Sequence, residues 1–284
     1  APQTWVIGAL VSGLFVWLLS FVPIVSETGS IVGSIPWVPQ LGLSLSLYLD
    51  GLSLLFSLVV VGIGAMIVIY AGYYFDSEAD LNRFYKQLLA FMSAMLAMVL
   101  AGNLITLFIG WELTSVVSFL LIGFKRESEE ARRGALQALI VTGGGGLALL
   151  IGLMLLGTAA GSMELSQILS NTALHESPWY SAFTILIMIG CFAKSAQFPF
   201  HFWLPGAMNA PTPASAYLHS ATMVKAGIYL LLRLYPVLGD TILWQNILLG
   251  TGLITMLMGA AFALRQRDLK AALAYSTISQ LGIL

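Results

Sequence analysis

Residues 192–233 read FAKSAQFPFHFWLPGAMNAPTPASAYLHSATMVKAGIYLLLR. The stretch is apolar enough for a bilayer, yet it carries Lys194, His201, His219 and Lys225. A charge at the centre of a membrane span costs about 2.5–3.5 kcal/mol on insertion scales, so such residues are usually kept for ion pathways, proton relays or ligand pairing. Pro199 stands in the same run. It removes a backbone donor and clashes with the carbonyl four residues earlier, that of Ser195. The helix is therefore expected to break directly after Lys194. Broken helices inside membranes expose backbone groups, and transporters place ion sites there. A proline kink without an ionic role is the plain alternative. Pro205, Pro211 and Pro213 then end this span and restart the next.

The rest of the chain frames that stretch. Of 284 residues, 58% are hydrophobic and only 9% charged, against about 25% charged in a soluble domain. Apolar runs fall near 4–25, 51–74, 84–101, 103–124, 134–157, 180–204, 212–235, 240–264 and 271–284. Most approach the roughly 20 residues that a transmembrane helix needs, and they are too long and uniform for barrel strands. The expected fold is an all-α polytopic transmembrane bundle of about nine spans with one discontinuous helix, a single domain over residues 1–284. A turn around Gly102 and Asn103 forces the third and fourth spans into an antiparallel hairpin. The chain opens on Ala1, and its last apolar run is short for a span, so it reads as a fragment incomplete at both ends. The first segment lacks the basic start of a signal peptide. A lone Cys191 excludes an intrachain disulfide.

Basic residues orient the spans. Nine of the twelve Lys and Arg residues are Arg83, Lys86, Lys125, Arg126, Arg132, Arg133, Arg265, Arg267 and Lys270, in connections that fall on one side. The opposite connections, 26–50 and 158–179, hold none. The positive-inside rule makes the basic connections cytoplasmic. The outer loop 26–50 alternates and is rich in Gly, Ser and Pro, compatible with a short hairpin. Loop 158–179, with Glu164, His175 and Glu176, has room for a short surface helix.

Glu112 is a third intramembrane charge. Counted from the span ends, Glu112, Lys194 and Lys225 lie at similar depth near the bilayer midplane. Glu112 and either lysine could pair, which would offset much of the insertion cost and tune protonation. The pair either locks two helices together or loads and releases a proton. His219 is a candidate relay or a satisfied helix contact, and His201 either helps ions enter from the cytoplasm or caps the backbone. The candidate proton pathway is thus Glu112, Lys194, His219 and Lys225, with the helix break at Pro199.

Other chemistries find little support. Gly143 to Gly146 lack the Gly-Lys-Ser/Thr of a phosphate loop and read as close helix packing. The three histidines have no metal-ligand spacing, and one cysteine cannot hold an iron–sulfur cluster. No cofactor, metal or nucleic-acid partner is expected.

Four segments carry a family resemblance: YLDGLSLLFSLVV, GWELTSVVSFLLIGF, the stretch 192–233 and DLKAALAYSTISQLG. They resemble the antiporter-like family shared by Mrp-type multisubunit Na⁺/H⁺ antiporters and the proton-pumping membrane arm of respiratory complex I. The resemblance implies that Glu112 is the family's glutamate on its fifth helix and Lys194 the lysine on its broken seventh helix. His219 and Lys225 then fall on the eighth. It also implies that one helix precedes this chain, that residues 81–235 form the first five-helix inverted-repeat unit, and that 240–284 start the second. Complex I relatives usually carry Arg and Asp where Gly143 and Gly146 stand here. The WELTS and LHSATMVKAGIY runs look instead like the large A subunit of Mrp antiporters. The implied function is Na⁺/H⁺ exchange, as a secondary transporter and not an enzyme, within a complex of other Mrp subunits. The implied place is the bilayer of a bacterial cell membrane. The alternative is a membrane component of a redox-driven, complex I-like proton pump, and a third reading is a structural subunit that transports nothing.

Overall fold

The computed structural model describes residues 2–38 and 43–284. Helices dominate: α1 (Pro2–Leu19), α2 (Phe21–Thr28), α3 (Gly51–Tyr74), α4 (Glu78–Val99), α5 (Leu104–Ile122), α6 (Glu129–Ala160), α7 (Leu165–Leu169), α8 (Tyr180–Lys194), α9 (Trp203–Ala207), α10 (Thr212–Ala216), α11 (Lys225–Leu238), α12 (Ile242–Ala263) and α13 (Leu269–Ile283). Between α2 and α3 lies an antiparallel hairpin, β1 (Ser30–Val38) with β2 (Leu43–Asp50), whose register shifts between Pro36 and Val38. Short helix α7 and a 3₁₀ turn at Thr172–Glu176 fill the 158–179 loop.

Local chemistry sets the helix starts. Asp50 and Ser53 form a reciprocal capping box for α3, while Ser77, Asn103, Ser128, Thr241 and Asp268 cap α4, α5, α6, α12 and α13 through side-chain acceptors. Each such cap satisfies one of the donors that a helix N-terminus leaves open, worth about 1 kcal/mol. Gly161, at φ 72°, ends α6 in the left-handed conformation that glycine adopts without a Cβ clash. The α4–α5 turn at residues 100–103 is pinned on β2 by Tyr48 N–H to the Leu100 carbonyl (2.8 Å) and Gly102 N–H to the Ser46 carbonyl (2.7 Å).

Small residues bring the helices close. Gly145 of α6 faces Ala193, Gly152 faces Ile187, and Gly190 of α8 faces Leu149, so any side chain there would collide. Gly143 and Gly144 face open space, so only part of the glycine run serves α6–α8 packing.

Part of the expected nine-span pattern is met by long helices. Among the described residues, five helical stretches are long and apolar enough to cross a membrane: Pro2–Thr28, Gly51–Tyr74, Leu104–Ile122, Glu129–Ala160 and Ile242–Ala263. The charged first turns of α4 (Glu78, Asp80, Arg83, Lys86) lower its hydropathy. The sixth and seventh apolar runs are each cut: α8 keeps 15 residues and α11 keeps 14. The break in the run 212–235 was not expected. There α10 passes into a π-helical turn, Tyr217–Ala221, and Thr222 leaves helical geometry at φ −126°, ψ −83°.

At the hairpin end, Arg233 of α11 is 3% exposed and grips Asp50 through Nη1 to Oδ2 (2.5 Å) and Nη2 to Oδ1 (2.8 Å), with Nε 3.2 Å from the Tyr229 hydroxyl. Burial alone would raise the Asp50 carboxyl, but the Arg233 guanidinium and the Ser53 donors outweigh it and hold the group below its ordinary value. The pair's contribution is therefore complete above the unfolded carboxylate pKa, about 3.9, and is lost as pH falls through the lower folded value. Asp50→Asn keeps an N-cap but strands a buried guanidinium, and should cost about 3–5 kcal/mol. Thermal unfolding of the assembled protein at neutral pH checks this; an unchanged transition would show that Arg233 finds another partner.

Candidate functional site

Helix α5 carries the first half of the site. Trp111 is fully buried, Glu112 half-buried, and Thr114, Ser115 and Ser118 line a buried face. Their hydroxyls lean back on the helix, Thr114 donating to the Trp111 carbonyl (2.7 Å) and Ser118 to the Ser115 carbonyl (2.8 Å). Such back-bonding is the usual refuge of a hydroxyl in an apolar helix.

Lys194 is the last residue of α8 and is 0% exposed. Its ammonium donates to the Trp111 carbonyl (2.9 Å) and the Ser115 hydroxyl (2.6 Å), and lies 5.1 Å from the Trp111 ring centroid. No ion pair joins it to Glu112, one of the two lysine pairings that depth alone allowed. The lysine reaches the same turn of α5 but settles on the neutral acceptors flanking the glutamate. Glu112 stays an electrostatic neighbour. Its carboxylate lies over Gly146 of α6, where any Cβ would strike it, and Oε1 is buried without a hydrogen-bond partner.

Beyond Lys194 the chain turns rather than continuing. Ala196 adopts φ 49°, and Pro199 precedes a 3₁₀ turn at Phe200–Phe202. His201 sits in that turn, half-buried, stacked on Phe198 (centroids 6.3 Å apart, 17° between planes), with Nδ1 buried and unpartnered. Trp203 then folds back, donating its indole N–H to the Ala193 carbonyl at 2.9 Å. Its ring lies 6.1 Å from that of His219, which is 2% exposed on the π-helical turn. His219 faces the Ala207 backbone, but neither ring nitrogen reaches hydrogen-bond geometry. Trp203 therefore bridges the lysine's backbone and the histidine.

Lys225 is not in mid-helix. It opens α11, partly buried, and makes no ion pair among the described residues. Two residues on, Gly227 packs on the Cys191 carbonyl and the Ser195 hydroxyl, so the start of α11 abuts the end of α8. The Ser195 hydroxyl is buried and unpartnered. Trp111, Ser115, Gly146, Ser195 and Trp203 were not foreseen as site residues. Ser115 carried a usable signal, lying three residues from Glu112 on the same helix face. A backbone carbonyl such as that of Trp111 carries none. No group of three or more His, Cys, Asp or Glu among the described residues could hold a metal.

This fold and site define a membrane-embedded helical bundle with charged side chains gathered at interrupted helices. Residues 101–284 match the family described as NADH:quinone oxidoreductase/Mrp antiporter, TM, and residues 35–85 the NADH-ubiquinone oxidoreductase (complex I) chain 5 N-terminus. The probable K⁺/H⁺ antiporter A/B subunit of Rhizobium meliloti is 50% identical over 99% of this chain and 28% of its own length. The Na⁺/H⁺ antiporter A subunit of Alkalihalophilus pseudofirmus is 46% identical over 99% of this chain and 35% of its own. One polypeptide of the solved Mrp complex from Dietzia sp. superposes with a TM-score of 0.90 at 40% identity, covering 98% of this chain and 30% of that one. The chain belongs to the NADH:quinone oxidoreductase/Mrp antiporter transmembrane family. It spans about a third of the length of these relatives.

The lysine's seat yields a stability test. Ser115→Ala removes one of two acceptors from a buried ammonium and should cost about 1.5–3 kcal/mol, whereas Ser115→Thr keeps the hydroxyl. Thermal unfolding of the assembled protein measures both. Equal loss in the two variants would point to packing, not to the hydrogen bond.

Proposed function

We propose that this chain is the N-terminal part of the large A-type subunit of a multisubunit secondary Na⁺/H⁺ antiporter, working with other Mrp subunits in a bacterial cell membrane. Cytoplasmic Na⁺ leaves as external H⁺ enters, and this part supplies a segment of the proton pathway through Glu112, Lys194, His219 and Lys225. The observation that carries the reading is the buried Lys194, seated on neutral acceptors and not clamped by a carboxylate. Such a lysine can exchange partners, which a closed salt bridge resists. Glu112, Ser195, His201 and His219 each keep a buried polar atom without a protein partner, and such atoms are ordinarily satisfied by water. In this reading the broken helices complete about nine membrane crossings. Residues 81–235 form one repeat unit, 240–284 begin a second, and the basic connections face the cytoplasm.

A proton-pumping membrane-arm subunit of a complex I-like enzyme is the second reading, favoured by the match of residues 35–85. Against it stands Gly146, where Glu112 occupies the space an acidic side chain would need.

Lys194→Arg tests the carrier role, because a guanidinium keeps its proton. In everted vesicles, with transport normalised to assembled complex, Lys194→Arg and Glu112→Ala should both lose Na⁺-driven proton movement. Wild-type transport by the Arg variant would leave Lys194 a purely structural residue, and failed assembly of Glu112→Ala would make that glutamate a helix lock.

Orientation is checked separately. In a Cys191→Ser background, a cysteine placed beside Arg132 should react with an impermeant reagent only from the cytoplasm, and one beside Asn171 only from outside. Reversed labelling would invert the pathway.

A further inference from the structure

Away from the lysine seam, the ends of α4, α5 and α6 enclose a cavity of about 490 Å³. Its wall includes Arg83, Gln87, Leu120, Arg126, Arg132 and Leu136. Three arginines thus line one cleft. Arg83 is held in place, Nη2 donating to Asp80 Oδ1 and the Phe124 carbonyl, both at 3.1 Å, with its guanidinium carbon 4.0 Å from the Phe124 ring centroid. Its Nε is buried without a partner, as is Oε1 of Gln87. Arg126 and Arg132 make no ion pair among the described residues, whereas the adjacent Arg133 pairs with Glu129 at 2.6 Å. Glu127 belongs to the same connection and Glu129 and Glu130 open α6, but none of the three lines the cavity. Arg126 and Arg132 therefore bring unneutralised positive charge to the cleft, and Arg83, itself paired with Asp80, brings an open N–H donor.

Its other wall is apolar and faces outward. Leu120 and Leu136 are 45% and 52% exposed, and exposed apolar positions continue from them along both helices, Val116 and Leu113 on α5 and Ile140 and Leu147 on α6. An occupant must therefore pair an anionic head with a long apolar body. Guanidinium forks match phosphate oxygens, and basic clefts between membrane helices suit acidic lipid headgroups. A free phosphate would leave the leucine wall unused, and a zwitterionic lipid would bring its own cation towards the arginines.

We propose that this cleft binds one anionic phospholipid, its phosphodiester on Arg83, Arg126 and Arg132 and its acyl chains along α5 and α6. The site is separate from the lysine seam, so it stands or falls independently of the transport reading.

The test uses the whole complex, purified and delipidated in detergent. Phosphatidylglycerol, phosphatidylcholine or inorganic phosphate is added, while melting temperature and lipids retained in native mass spectrometry are recorded. Phosphatidylglycerol should raise the melting temperature, and the other two should not. Arg126→Ala combined with Arg132→Ala should abolish that rise and remove one retained phosphatidylglycerol per complex. Both side chains are exposed and unpaired, so folding should survive, and Arg133→Ala, outside the cleft, should behave as wild type. The proposal is overturned if the double variant keeps the full rise and lipid count. It is equally overturned if inorganic phosphate reproduces the rise, which would mark a free-anion site, or if phosphatidylcholine does.

Discussion

A helix that stops inside a membrane must find partners for the carbonyls it abandons, and the end of α8 meets that constraint group by group. The Cys191 carbonyl takes the Ser195 N–H (2.9 Å), the Phe192 carbonyl the Gln197 N–H (3.0 Å), and the Ala193 carbonyl the Trp203 indole (2.9 Å). With no water in the hydrocarbon core, each unsatisfied group would cost several kcal/mol. Three carbonyls at the end of α8 thus find local donors. The break also sets where Lys194 can go. As the final residue of α8, Lys194 leaves the helix axis and reaches across to α5, where the Trp111 carbonyl and Ser115 hydroxyl receive it.

The second interruption follows the same logic with different chemistry. No proline lies within the π-helical turn; hydroxyls satisfy it instead. Thr222 donates its hydroxyl to the Tyr217 carbonyl (2.7 Å), Met223 N–H bonds the Leu218 carbonyl (3.0 Å), and the Tyr217 hydroxyl ties the turn to Val60 of α3 (3.0 Å). The two breaks meet because Gly227 allows α11 to rest on the end of α8. A side chain at 227 would separate the helix end that carries Lys194 from the helix start that carries Lys225.

What the sequence disclosed follows from which interactions leave a residue-level trace. Hydropathy exposed the long helices, and Pro199 announced the end of α8. The three intramembrane charges stood out because charge is so scarce. The seat of Lys194 did not, since one of its acceptors is a backbone carbonyl that any residue would offer. Depth counting left Glu112 free to pair with either lysine, because it resolves height along the membrane normal but not rotation about the helix axis. The Asp50–Arg233 bond was equally hidden, because the two residues lie 183 positions apart. The break near Thr222 lacked the proline signature that betrayed the first.

Satisfied and unsatisfied polar groups are distributed unevenly, and this bears on where the molecule can move. At the hairpin end two carboxylates are closed into networks. Glu164 accepts from Ser44, from Ser46 at 2.6 Å and from Asn103 at 2.8 Å, and Asp50 binds Arg233 through both carboxylate oxygens. At the helix interruptions, Glu112, Ser195, His201 and His219 each keep a buried atom without a protein partner. Local opening costs least where few native bonds must be broken. The hairpin network therefore acts as a frame, holding one end of α11 at Arg233 while the other end, at Lys225, abuts the open seam. Eight residues of helix separate the two, about 12 Å at 1.5 Å per residue. In the proposed pathway, movement of Lys194 between acceptors would require side-chain and turn rearrangement at the seam alone, with the long helices left in place.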